Sequence, residues 1–182
     1  RAGSILVVMD EACCVCVEEP DYPDTTRWLA EFPNLVVTRT FSKIHGLAGL
    51  RIGYAVSSPE VADILNRVRQ PFNTSTLAQA AALEALDDSA HVEESVRVNR
   101  EGLAWLTAAC RERGLGCIPS VGNFLSIDVG REAEPVYQAL LHHGVIVRPI
   151  AGYGLPRHLR VTVGRTHENR RFMEALDQVV DA

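Results

Sequence analysis

The chain has 182 residues, 47% of them hydrophobic and 23% charged, with a formal charge of −5 and a pI near 5.7. These values describe an ordinary globular chain with enough apolar side chains for a core, and they exclude a disordered or low-complexity sequence. The 18 lysines and arginines are spread along the chain rather than clustered, which leaves no electrostatic footprint for nucleic acid.

No run approaches the roughly 18 apolar residues of a membrane span, and the N-terminus shows no charged-then-apolar signal pattern, so the expected location is cytoplasmic. Five cysteines is an odd count, and Cys13, Cys14 and Cys16 crowd one segment without a matching pair downstream, which argues against a disulfide framework. His45 stands alone near them, so a zinc site is not expected either.

Ser4 to Met9 is a short apolar run rich in branched residues that ends in Asp10, and it predicts a strand buried on both faces that delivers Asp10 at its C-terminal end. Open α/β sheets bind their ligands at that end. Asp24-Thr25-Thr26 offers a cap for a helix to about Glu31, and Asn34 to Arg39 is a second buried strand running straight into a lysine-containing segment. Arg51 to Val56 predicts a third strand. Pro59 opens a helix with Val61, Ile64, Leu65 and Val68 on one face, which Pro71 ends.

An alanine-rich helix follows from Thr74 to about Leu86, then a long helix from about His91 to Arg113, closed by Gly114. Beyond it come short strands at about 116–118 and 124–128, a helix at about 133–142, strands around Val145-Arg148 and Leu159-Val163, and a last helix from about His167. The pair His142-His143 closes its helix in a dipole-compensating position. The pattern predicts an α/β protein, with a parallel core over residues 1–90 and a smaller α+β domain over 91–182 entered through the long linking helix at about 91–113.

The densest chemistry lies in Thr40-Phe41-Ser42-Lys43-Ile44-His45-Gly46-Leu47-Ala48-Gly49-Leu50-Arg51-Ile52-Gly53-Tyr54. One lysine sits among hydroxyls and glycines, with an arginine eight residues on. Lys43 can form an imine with a carbonyl, Thr40 and Ser42 can donate to a phosphate, and Arg51 can clamp the same phosphate with its planar fork. A phosphorylated aldehyde, pyridoxal 5′-phosphate, matches that set.

This segment resembles the lysine segment of fold-type I PLP-dependent aminotransferases, and within them is most similar to the histidinol-phosphate aminotransferases. Val8-Met9-Asp10-Glu11-Ala12, Pro33 to Val37, Pro119-Ser120 with Asn123-Phe124, Val145 to Pro149 and Leu159 to Gly164 follow the same family order. The resemblance implies part of the family's large domain, a mostly parallel sheet with helices, followed by its small C-terminal domain. It implies an amino group exchanged between histidinol phosphate and 2-oxoglutarate, in histidine biosynthesis, by a homodimer.

The resemblance makes Lys43 the Schiff-base lysine and acid/base, and Asp10 the partner of the pyridinium nitrogen, with Thr40, Ser42 and Arg51 at the phosphate. Arg160 and Arg148 correspond to substrate-end arginines and Asn123 to a neighbour of the substrate. Cys13 stands where the relatives have a tyrosine that meets the cofactor's phenolic oxygen, and a thiol is a shorter and weaker donor. His45 has no implied role.

Family members run to roughly twice this length, and the resemblance begins where their second half begins. Two alternatives follow: a truncated remnant that folds or dimerises without binding PLP, and a threonine-phosphate decarboxylase-like enzyme sharing the lysine segment.

Overall fold

The structure is a computed structural model that describes residues 5–180. Ser4, at the head of the first predicted strand, and Arg1 lie outside them. The chain forms two compact units, one running to Glu94 and the other starting at Ser95.

The first unit is built on a three-stranded sheet in the order β1-β2-β3, formed by β1 (Val7–Asp10), β2 (Leu35–Thr40) and β3 (Gly53–Ser57). The central strand β2 buries Leu35, Val36 and Val37. It pairs parallel with β1, Asp10 opposite Thr38, and antiparallel with β3, Thr40 opposite Gly53.

The sheet is therefore mixed over residues where a parallel core was expected. The link from β2 to β3 is a turn holding a 3-10 segment, Ala48–Leu50, and a parallel return needs a longer crossover, usually a helix. The expected burial of the first strand also fails, because β1 is an edge strand. Ile5, Leu6, Val7 and Val8 are 64%, 52%, 43% and 56% exposed. A continuous apolar run reads the same whether a strand lies in the middle of a sheet or at its margin.

Between β1 and β2 lie two 3-10 helices, Cys14–Cys16 and Thr25–Ala30. The second is capped as its sequence suggests, the Thr26 amide donating to Asp24 Oδ1. Helices α1 (Pro59–Val68) and α2 (Thr76–Asp87) are capped by the hydroxyls of Ser58 and Ser75. The apolar face expected of α1 exists, but Ile64, Leu65 and Val68 lie exposed on it.

α3 (Ser89–Glu112) runs on into the second unit, whose four-stranded antiparallel sheet has the order β4-β5-β7-β6. Its strands are β4 (Gly116–Ile118), β5 (Phe124–Asp128), β6 (Arg148–Ile150) and β7 (Leu155–Thr162), with helices α4 (Ala133–His142) and α5 (Thr166–Val180). Strand alternation sends Leu125 and Ile127 of β5 and Leu159 and Val161 of β7 into a core with Leu106, Cys110, Leu140, Phe172, Met173 and Leu176. Each large side chain so buried stabilises by about 1.5–3 kcal/mol relative to exposure. The same alternation leaves Phe124, Ser126 and Arg160 on the opposite face.

Candidate functional site

The first unit gathers five of the expected residues at one end of its sheet. Asp10 closes β1, Thr40 closes β2, Ser42 and Lys43 follow in the turn, and Arg51 stands two residues before β3. Parallel pairing of β1 with β2 brings the first two to the same end, and antiparallel return of the chain brings Arg51 back to it.

The turn is tightly held. Thr40 Oγ1 accepts from the Ser42 amide at 3.0 Å, the Gly46 amide donates to the Lys43 carbonyl at 2.9 Å, and the Leu47 amide donates to the Phe41 carbonyl at 2.9 Å. Gly46 takes φ +70°, where a side chain would be strained, and a Cβ on it would meet nothing within 4 Å. Lys43 is exposed, and among the described residues no carboxylate pairs with it. It is also the single lysine in the whole sequence, the other 17 basic residues being arginines, a signal that sequence reasoning passed over.

Arg51 adopts a left-handed backbone, φ 54°, as the cap of the Ala48–Leu50 segment, and its Nη1 donates to the Ala48 carbonyl at 2.9 Å. A non-glycine residue in that region costs on the order of 1–3 kcal/mol and is characteristic of ligand clamps. Asp10 Oδ1 accepts from the Ala12 amide at 3.1 Å, a turn bond that fixes the carboxylate and leaves its second oxygen available. Cys13 follows, half-buried, just before the Cys14–Cys16 segment. Burial pushes the Cys14 and Cys16 thiols above their ordinary values. All five cysteines are free.

Beneath these groups lies a network that sequence reasoning missed. Glu11 is buried, accepts from Thr25 Oγ1 at 2.5 Å, and binds Arg39 through Nε at 2.9 Å and Nη2 at 2.8 Å. Its partners lie 14 and 28 residues away, beyond any local motif.

In the second unit Arg148 and Arg160 are register partners on β6 and β7, so they share one face of the sheet. Neither is paired with a carboxylate among the described residues. Instead the Arg160 guanidinium carbon lies 4.9 Å from the centre of the Phe124 ring and that of Arg148 lies 5.8 Å from the Tyr153 ring, with Arg148 Nη2 3.4 Å from the Tyr153 hydroxyl. Aromatic faces stand where a carboxylate partner could have been. Asn123 directly precedes β5 and its carbonyl accepts from the Val163 amide at 2.9 Å.

Among the described residues no cluster of histidine, cysteine and carboxylate side chains could hold a metal ion, and no helix is long and apolar enough to cross a membrane.

A primary amine, hydroxyls and a guanidinium at one sheet end, with a fixed carboxylate at the same end, are a donor set chemically suited to a phosphorylated carbonyl. Residues 1–176 match the family Aminotransferase class I and II, and the chain belongs to it. It is 56% identical over 177 residues to Histidinol-phosphate aminotransferase 1 of Nitrosococcus oceani, an alignment covering 97% of this chain and 48% of that protein. It is likewise 56% identical over 176 residues to Histidinol-phosphate aminotransferase 2 of Methylococcus capsulatus, covering 97% and 47%. The crystal structure of histidinol-phosphate aminotransferase from Sinorhizobium meliloti in complex with pyridoxal-5′-phosphate superposes with a TM-score of 0.89 at 30% identity, over 98% of this chain and 50% of that one. The chain thus spans about half the length of the relatives it matches, and its α/β architecture is that of the fold-type I PLP aminotransferases.

Proposed function

We propose that this chain supplies the cofactor-anchoring and substrate-end residues of a PLP-dependent aminotransferase acting on histidinol phosphate and 2-oxoglutarate. The observation that carries the reading is the lone Lys43, free of any carboxylate among the described residues, in a turn flanked by Ser42 and a left-handed Arg51 with Asp10 at the same sheet end. The donor set fits the cofactor, and the open space at Gly46 and Gly49, where a Cβ would meet nothing within 4 Å, leaves room beside the amine.

Bound pyridoxal phosphate supplies an aldehyde that condenses with amines and a ring that accepts the electron pair of a broken Cα–H bond. Arg51 and the hydroxyl of Ser42 would hold the phosphate, a charge-assisted contact with planar complementarity. Thr40 keeps that turn closed through its bond to the Ser42 amide. Asp10, with its second oxygen open, would keep a proton on the ring nitrogen. Lys43 Nζ is the amine that would hold the cofactor's aldehyde and would carry the substrate's Cα proton. Cys13 would meet the cofactor's phenolic oxygen with a weaker donor than a tyrosine hydroxyl.

Arg160 and Arg148 hold the anionic end of the substrate, phosphate or carboxylate, each backed by its ring, with Asn123 alongside. In this reading the residues up to about 90 are part of the large PLP-binding domain, those from about 91 are the small domain, and the working enzyme is a homodimer.

Incubation with PLP, borohydride reduction and peptide mapping test the reading. A phosphopyridoxyl group on Lys43, absent from Lys43→Arg, is the expected result. With no other lysine present, an adduct found only on the terminal amine, or none, overturns it.

A further inference from the structure

Resting on the cofactor reading above, we propose that Glu11 is the positioning residue of this site, fixing the strand end that carries Asp10 against the strand end that carries Thr40, Ser42 and Lys43. Three features of the geometry lead to it.

The first is topological. Side chains alternate along a strand, so Asp10 and Glu11 point to opposite faces, as do Arg39 and Thr40. The parallel ladder continues one step past β1, the Glu11 amide donating to the Thr38 carbonyl at 2.9 Å. Glu11 and Arg39 therefore meet directly behind the two residues that end the strands at the site.

The second is the completeness of the pairing. Glu11 is 4% exposed and both of its oxygens are engaged, one by the Thr25 hydroxyl and the other by two nitrogens of Arg39. Asp24, which caps the helix bearing Thr25, lies 3.8 Å from the same guanidinium. Burial works against the charge on Arg39, yet hydrogen bonds to Glu11 and Tyr54 outweigh it and hold the group above its ordinary value. A buried ion pair adds little net stability compared with an apolar pair of the same size, and its best-attested use is to specify register.

The third is continuity into the lysine turn. Tyr54, opposite Arg39 on β3, lies with its ring centre 5.8 Å from that of Phe41, and Phe41 lies 5.1 Å from His45. Phe41 and His45 each stand two residues from Lys43. The contacts pass from Glu11 through Arg39, Tyr54 and Phe41 to His45, the last two being residues that flank Lys43 along the chain. A carboxylate at position 11 thus orders a lysine it does not touch.

Amide hydrogen exchange on the 182-residue chain, without cofactor, tests this directly. The variants are Glu11→Gln, which keeps size and an acceptor for Thr25, and the double variant Glu11→Leu with Arg39→Met, which removes both charges together. The expected result in either variant is exchange at least tenfold faster at Gly46 and Leu47, with Val36 and Val37 in the middle of β2 still protected, and lower PLP occupancy of Lys43 at a fixed cofactor concentration. Rescue by Glu11→Asp, with partial return of protection at Gly46 and Leu47, supports the proposal further.

Wild-type exchange at Gly46 and Leu47 in both variants overturns it. So does loss of protection throughout β2 in both, because the pair would then be a stabilising element of the whole sheet. Failure of the cofactor reading is distinct: it is the absence of an adduct on Lys43 in the unaltered chain, and the exchange pattern does not depend on it.

Discussion

Replacing Gly53 with alanine should loosen the first unit at the end of the sheet where the lysine turn begins. Gly53 lies opposite Thr40, and a Cβ placed on it would stand 2.7 Å from the Arg39 carbonyl oxygen, whereas 3.0 Å is a limit that real Cβ atoms essentially never cross. The obstructing atom is backbone, so no rotamer change relieves it, and β3 must move away from β2. Overpacking of this kind costs about 1–3 kcal/mol. Alanine also reduces the freedom of the unfolded chain, a gain of about 0.4–1 kcal/mol. The clash wins, leaving a net loss of about 1–2 kcal/mol. Urea unfolding followed by the fluorescence of Trp28, in a Trp105→Phe background so that only the first unit is read, measures it. Slower PLP labelling of Lys43 should accompany the loss, because Thr40 and Arg51 flank the displaced pair. A midpoint equal to or above wild type with an unchanged slope would refute the steric reasoning.

Three further outcomes are expected. Arg160→Ala should weaken binding of phosphate-bearing amines at least tenfold, and Arg160→Lys should recover little of it, since an ammonium lacks the planar group that lies over Phe124 and cannot grip an anion with two parallel donors; calorimetric titration of the PLP-loaded protein checks both. The paired hydrogen bonds from Arg113 at 2.5 and 2.8 Å hold the Asp177 carboxyl below its usual range, so its contribution is present above the unfolded carboxylate value near ~3.9 and lost as pH falls through the lower folded value. That contribution is about 0.2–1 kcal/mol because the pair is partly exposed, and Asp177→Asn should flatten the acid side of the pH–stability curve of the second unit. Burial, and then the neighbouring Cys117, push the Cys110 thiol up to about 12, so iodoacetamide at pH 8 should spare Cys110 in the folded chain and modify it once urea is added, as peptide mass mapping will show.

How far the sequence could be read depends on the range of each interaction. The lysine segment was legible because everything it does locally is written within fifteen residues: hydroxyl, amine, glycine and arginine at fixed spacing. Helices were legible from caps and periodicity, and α4 falls where the pattern predicted it, at Ala133–His142. Strand direction was not, because alternation is the same in both senses; only the shortness of the link between Thr40 and Gly53 hinted that β3 turns back. Nor could the apolar run ending at Asp10 announce its exposure, which depends on how many neighbours the strand acquires. The Glu11–Arg39 pair and the rings beneath Arg148 and Arg160 depend on register between strands, and register is fixed by the whole sheet rather than by either residue.

The aromatic backing of the two arginines has a consequence for how this face meets an anion. An arginine already bound to a carboxylate must surrender that partner before it can take a new one, and acid, by protonating the carboxylate, would set it free. Phe124 offers no such exchange and has no proton to gain or lose. Arg160 therefore has no protein carboxylate, among the described residues, to give up before it takes an anion.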